Sequence, residues 1–337
     1  MKDHAISRRT ALKFAGMAGL PLPAMQQETA FGDVLAVVEK GDRRLAFFEA
    51  GTGKRLSEIV LGDYPHELVA DRERRFAYIG HYGVEFSSVV GPGGSALWVV
   101  DLRARTLVRT IELAPFNRIH GVGMDSTNRL YALSEEKAVL LGFDASIGNG
   151  PSRAVNTGGI KTHMFAITRN GERAYVTGLL SHTVSLVRPY DAAAAPVMMT
   201  PGQLPESACL STDEQTLFVG ARRTPAVVAI DANTMSVRGQ LKVAGDPLRV
   251  YTVSQDQLLV TDLANKAISL ISTRLQPIWT MPVPGQPSAV SFHPSKPVAY
   301  VSLLDTQQVA VVDLSRRQIT GTFPTLRQPD VSVLIPG

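Results

Sequence analysis

The 337-residue sequence predicts an all-β protein, a seven-bladed β-propeller of four-stranded blades whose last blade is closed by strands from the two ends of the chain. Three observations carry that expectation. Segments with one grammar return about every 43 residues. Each alternates apolar residues between turn-forming Gly, Pro, Asn and Asp. Beyond the N-terminal segment, no stretch keeps a 3.6-residue apolar period.

The first 24 residues stand apart. Lys2, Arg8, Arg9 and Lys13 against Asp3 give them a net +3, which leaves +1 of the chain's +4 for residues 25–337. Ser7-Arg8-Arg9-Thr10-Ala11-Leu12-Lys13 precedes a short apolar stretch, Phe14 to Leu20, and Leu22-Pro23-Ala24 supplies small residues for cleavage. This resembles the twin-arginine export pattern S-R-R-x-F-L-K, with Ala11 where the pattern has Phe. The apolar run is too short and too rich in Gly to span a bilayer. Residues 1–24 are therefore expected to be a signal peptide and 25–337 a single propeller domain, periplasmic or secreted, with no membrane span in the mature form.

The repeats come next. The run from His163 to Gly178 (HMFAITRNGERAYVTG) aligns with that from Glu206 to Ala221 (ESACLSTDEQTLFVGA). Leu259-Val260-Thr261-Asp262 and Tyr300-Val301-Ser302-Leu303 repeat the second strand, and Val309 to Leu314 the third. The tryptophans are two, Trp98 and Trp279, so a Trp-Asp signature in every blade is ruled out. On these runs the chain is similar to YVTN-type propeller repeats, whose Tyr-Val-Thr-Asn core Tyr175-Val176-Thr177 and Val260-Thr261-Asp262 approximate. The resemblance covers almost all of residues 32–337. It implies a propeller of the lactonase-like and amine-dehydrogenase-chain-like superfamily, and no single activity, because one scaffold hosts many.

The chain ends at Asp330 to Pro336, which reads as an innermost strand alone, and the mature chain begins with Asp33 to Glu39, which reads as a second strand, followed by Leu45-Ala46-Phe47-Phe48 as a third. Residues 328–336 are expected to pair with 33–39. That pairing completes one blade and removes the edges an open sheet exposes.

Closure turns equivalent positions of the inner strands into a ring at one depth of the central channel. The position five before the polar turn holds His66, His120, His163, Glu206, Arg249, Ser288 and Asp330; the steps are 43 from His120 to Arg249 and 54, 39 and 42 elsewhere. Three of the seven histidines in the chain fall there. Three imidazoles and a carboxylate suit a divalent transition metal (Mn, Fe, Co, Ni, Cu or Zn), with open positions for water or substrate. In this reading His66, His120, His163 and Glu206 hold the metal, Arg249 holds an anion, and His81 or Asp330 moves protons. Two others stay open: a polar site without metal, and histidines that only hydrogen-bond across a wet channel. YVTN-type repeats often carry Pro-His here, as Pro65-His66 does, and that fits the last.

The ends of the second strands, Glu39, His81, Ser134, Gly178, Ala221, Asp262 and Leu303, are expected beside the ring. Glu39, His81 and Asp262 would then orient ligands or exchange protons. Blade one carries a Gly-rich insertion, Tyr82 to Ser95, that projects from the same mouth as a lid. Arg118, Lys161, Arg222 and Arg223 lie nearby and would draw in an anion.

Composition and missing motifs bound the rest. Hydrophobic residues at 45% are enough for a sizeable core, which excludes a disordered chain. A net charge of +1 on the propeller domain does not suggest a basic stripe, and no nucleic-acid partner is expected. The single cysteine, Cys209, excludes an intramolecular disulfide. With no Walker loop or dinucleotide fingerprint, no nucleotide cofactor is expected. His4 and His293 have no repeat equivalents and are expected on the surface or tail. The sequence thus points to an exported metal-dependent lyase, hydrolase or isomerase acting on a small anionic or lactone-like molecule. The alternative is a non-catalytic propeller that binds a ligand or a protein partner.

Overall fold

The computed structural model describes residues 32–144, 148 and 150–337; the signal-peptide expectation lies outside the described residues. Among the described residues, twenty-eight strands form seven four-stranded antiparallel sheets. Blades one to six begin with the inner strands Pro65–Ala70, Ile119–Met124, Thr162–Ile167, Pro205–Leu210, Pro247–Thr252 and Pro287–Phe292. Blade seven takes its inner strand from the C-terminal side, Pro329–Ile335, and its other three, Val34–Glu39, Arg44–Glu49 and Arg55–Val60, from the N-terminal side. Val34 pairs with Ile335 and Glu39 with Pro329, so the seam closes as the sequence predicts.

Burial follows position within a blade. Second and third strands lie between two neighbouring blades, are covered on both faces and read as continuous apolar runs: Val34–Glu39 is buried at every residue. Outer strands face water on one side and alternate, as in Arg55–Val60 and Val237–Lys242, with charged residues guarding the exposed edge. The core is therefore a set of clusters between blades rather than one central mass. Packing at the seam shows it: Ala36, Val38 and Phe47 of blade seven pack with Ile79 and Trp98 of blade one, while Leu35, Val37 and Phe48 pack with Tyr300 and Val309 of blade six. Burying both faces of the composite blade is what holds its two chain ends together.

His293 departs from the sequence expectation. It is buried, and its Nε2 lies 3.0 Å from Asp33 Oδ2, which also accepts from Lys296 Nζ at 2.8 Å. The histidine braces the foot of the seam on the face opposite the ring. Cys209 is unpaired, and burial pushes its thiol up to about 12, which keeps it in the unreactive protonated form.

Candidate functional site at the channel mouth

Each inner strand starts at the mouth with a β-bulge. Pro65 pairs with His81 but Leu68 with Ile79, so two residues of the inner strand oppose one of its partner; the register slips at the matching place in the other six blades. A bulge kinks the strand and re-aims side chains. Here it turns the ring position inward, and His66, His120, His163, Glu206, Ser288 and Asp330 are all buried there.

The fifth blade corrects the sequence register. Pro247 pairs with Asp262 as Pro205 pairs with Ala221, so the structural equivalent of Glu206 is Leu248, and Arg249 lies one residue further along. A constant spacing of 43 concealed a connection one residue shorter before this blade. Arg249 still lines the cavity, but it belongs with Glu67 of blade one. Their side chains meet across the channel at 2.5 Å, and Arg249 Nη1 lies 3.2 Å from Met164 Sδ.

The second ring is also displaced by one residue. The strand-end residues pair with the residue before the ring, as expected, but they turn away from the channel. Glu39 bonds Arg55 and the Leu326 amide. Asp262 accepts from the Asp246 and Asn265 amides. The His81 ring lies 4.6 Å from that of Trp98, under Gly94, whose added Cβ would strike it. Successive residues of a strand face opposite sides, so the residue after each end faces inward: Lys40, Tyr82, Glu135, Leu179, Arg222, Leu263 and Leu304. Sequence reasoning named only Arg222 of these as a site residue, and Tyr82 as the start of the insertion, though the same repeat register, advanced by one, would have found them.

The two rings enclose a cavity of about 310 Å³ lined by Lys40, His66, Tyr82, His163, Glu206, Arg222, Arg249, Ser288 and Asp330, and roofed by Glu85 to Ser88 of the blade-one insertion. Asp330 Oδ2 lies 3.1 Å from His66 Nδ1 and 3.5 Å from Lys40 Nζ, which is itself 3.4 Å from His66 Nε2. His163 is bracketed by carboxylates, its Nδ1 2.8 Å from Glu135 and its Nε2 2.9 Å from Glu206. Arg222 donates to Glu206 and, with two nitrogens at 2.6 Å, to Asp246. The Tyr82 hydroxyl donates to Glu135 at 2.9 Å.

His120 differs from its neighbours. Its ring sits between those of His66 and His163, with centroids 4.3 and 3.6 Å away, and the Tyr82 ring meets it edge-on at 4.7 Å. It is fully buried and neither ring nitrogen has a hydrogen-bond partner. Burial, followed by the cationic character of neighbouring His163, pushes its pKa well below the usual histidine range, so it is a neutral imidazole with a free lone pair. Burial does the same to His66, helped by Lys40. In His163 burial pulls the pKa down, but Glu206 and Glu135 outweigh it and raise the group to about 9. The Glu206 carboxyl is held low because His163 and Arg222 overcome its burial. Among the described residues, His66, Glu67 and His120 offer ligand atoms that all lie within 4.8 Å of one another.

The insertion leaves the blade through a pinched neck, where the Gly94 amide donates to the Tyr82 carbonyl at 2.9 Å. Gly83 and Gly93 adopt left-handed φ of 73° and 69°, and an added Cβ at either would strike the facing backbone.

No protein-family model matches the chain, and no curated protein matches it. Solved structures similar to it include the periplasmic gluconolactonase PpgL of Pseudomonas aeruginosa (13% identity over 91% of this chain and 99% of that one, TM-score 0.71). A protein from Lactobacillus plantarum is similar at 15% identity, 90% and 99% coverage and TM-score 0.71. A dihydro-heme d1 dehydrogenase, NirN, is similar at 12% identity and TM-score 0.63; the alignment covers 89% of this chain and 66% of that chain. At such identities the likeness is one of fold. Among the described residues, no helix is long and apolar enough to cross a membrane.

Proposed function

We propose that the channel mouth is the active site of a metal-dependent enzyme, a lyase, hydrolase or isomerase, acting on a small anionic or lactone-like molecule. His120 carries the reading. A buried imidazole with both nitrogens unbonded forgoes about 1–3 kcal/mol of hydrogen bonding, and a ligand at its lone pair explains why the fold retains it. Of the four ligands read from the sequence, His66 and His120 stay in the proposed shell and Glu67 joins them. Ligand atoms about 2.0–2.2 Å from one ion stand no more than about 4.4 Å apart, so a spread of 4.8 Å asks for side-chain adjustments of tenths of an ångström.

The ion would supply Lewis acidity toward a carbonyl or carboxylate oxygen. His163 and Glu206, read from the sequence as ligands, serve instead as a proton donor and its counter-charge, with Glu135 on the other nitrogen. Asp330 orients His66 and Lys40. Lys40, Arg222 and Arg249 each stand against a carboxylate, Asp330, Glu206 and Glu67, and an anionic ligand would share these cations; the small cavity limits its size. The YVTN-type repeat resemblance and the fold shared with a gluconolactonase fit a lactone-like substrate. In this reading the Arg8-Arg9 signal delivers the enzyme to the periplasm or outside the cell.

Elemental analysis of protein purified from its native compartment tests the metal: one equivalent of a transition metal is expected, lost with activity on a lactone and uronate panel in His120→Ala. Metal-free native protein that takes up none on dialysis would overturn it. The binding-module reading is favoured by one observation, the apolar Phe86 and Val90 exposed on the roof, 45% and 96%. It would then lead.

A further inference from the structure

The roof of the cavity is fastened from three blades, and two of the fastening side chains share one buried carboxylate. Arg118 Nη2 of blade two donates to the Val89 carbonyl at 2.5 Å, and neighbouring Asn117 donates to that of Pro92 at 2.6 Å. Lys161 of blade three donates to the Ser87 carbonyl. Gln328 of blade seven donates to Glu85 at 2.6 Å. Arg118, Lys161 and Gln328 are the residues that lead into their inner strands, and all three hold left-handed φ, 51°, 55° and 56°, a conformation unfavourable to side chains with a Cβ. Below the roof, Arg118 and Lys161 lie 3.6 and 3.8 Å from Glu135, which also receives the Tyr82 hydroxyl at the root of the insertion and faces His163 at 2.8 Å.

We propose that residues 83–94 are a lid over the histidine ring, turning about Gly83 and Gly93, and that Glu135 is its latch. Glu135 gathers the insertion's root, two of its fasteners and the ring histidine into one cluster, so releasing the lid and rearranging the ring are a single event. Glu135 is a positioning residue: it acts on access and on His163, through Tyr82, Arg118 and Lys161. The lid rests on reading the mouth as a ligand site; the fastening contacts stand without it. Glycine pairs at the ends of a loop absorb the backbone rotation that closure needs.

The test reads access rather than turnover. Full-length protein, dialysed against a chelator so that a bound ion does not shield the ring, is labelled with diethyl pyrocarbonate. Carbethoxylation of His66 and His120 is followed by peptide mass spectrometry, and hydrogen exchange of 83–94 is read on untreated protein. Lys161→Met and Glu135→Gln should each speed His120 labelling by about tenfold, the effect of losing one charge-assisted bond, and Asn117→Ala, which loses a neutral bond at the accessible rim, by about threefold. Exchange at 83–94 should rise while that of the inner strands stays unchanged. Should Glu135→Gln fail to fold, the two rim variants decide. The lid is overturned if His120 in the unaltered protein labels as fast as free imidazole. It is also overturned if loosened exchange at 83–94 leaves labelling unchanged, or if labelling tracks global unfolding. Metal content of the same preparations separates the two ideas: gated labelling without native metal sinks the metal reading and keeps the lid, and ungated labelling with metal does the reverse.

Discussion

The mouth of this propeller has two unlike sides. From blade seven through blade four the ring offers Asp330, His66, His120, His163 and Glu206; on blades five and six it offers Leu248 and Ser288. The residue after each second strand largely follows suit, with Lys40, Tyr82, Glu135 and Arg222 but also Leu179 on the first side and Leu263 and Leu304 on the second. The lead-in residues differ as well. Tyr64, Arg118, Lys161, Leu204 and Gln328 hold left-handed φ, whereas Asp246 and Gln286 do not. On the first side Arg118, Lys161 and Gln328 reach up to the insertion; Asp246 instead clasps Arg222, and the Gln286 amide donates to Asp305. The repeat fixes where a side chain can project into the channel, and the side chain carried just before each inner strand decides what the rim beside it does. Chemistry and cover are thus concentrated on one arc, and the opposite arc adds Arg249, one residue beyond the ring, and otherwise packing.

The largest expected effect falls on both arcs together. Deleting residues 328–337 removes the inner strand of blade seven, exposes the apolar faces that blades six and one bury against it, and should abolish cooperative thermal unfolding measured by circular dichroism. A truncated protein that unfolds at the same midpoint would mean that neither arc depends on closure.

His120→Ala strikes the rich arc alone. It should remove stoichiometric metal and activity completely, while stability falls by about 2–3 kcal/mol from lost packing against His66, Tyr82 and His163, the imidazole having no hydrogen bond to lose. A large drop in Tm with metal retained would make the histidines a structural feature.

Ser288→Ala is the matched change on the plain arc. Its hydroxyl donates to the Pro329 carbonyl at 3.0 Å, so the variant should lose about 0.5–1.5 kcal/mol in urea titration and keep its metal content and lid protection. Loss of metal there would erase the distinction between the arcs.

The smallest effect lies on the opposite face and controls for the rest. Bonding to Lys296 overcomes burial and lowers the Asp33 carboxyl from 3.8 to about 2. A carboxyl depressed on folding contributes stability above its unfolded value that is lost as pH falls from about 4 through about 2. After solvent screening of the exposed Lys296 this is worth about 1 kcal/mol. Asp33→Asn should flatten the acid limb of stability over that window and leave the mouth unaltered; an unchanged acid limb would show that the brace contributes nothing.

Much of this was legible in the sequence, and the losses have a common cause. Blade number, the seam and the ring of His66, His120, His163, Glu206, Ser288 and Asp330 follow from periodicity, because a propeller converts repeat register into position in the channel. Glu67, Glu135 and Lys40 were missed and Tyr82 was read only as the start of the insertion; Arg249 was placed one residue off, and His81 stands one residue before the inward-facing position. Each of these errors is a shift by a single residue, and in a strand one residue is the difference between two faces. Bulges at the mouth add such a residue in every blade, and a repeat-length argument averages them away. The contacts of the insertion were invisible for another reason: they join residues from four blades, and no local pattern records which rim side chain reaches which carbonyl.

The seam has a mechanical side. Val34 and Ile335 are partners at the same end of two antiparallel strands, on the face away from the mouth. Tension applied between the two ends of the domain therefore loads their hydrogen bonds one pair at a time, as in a zipper, instead of all at once in shear. A seam whose opening by heat must uncover two blade faces at once can be opened by a pull on its ends one pair at a time. Asp33 sits at the first tooth of that zipper, held by His293, Lys296 and the Gly337 amide. A machine that threads chains from a terminus would meet its resistance there first, and would peel away Asp330 and open one side of the ring before it disturbed any other blade.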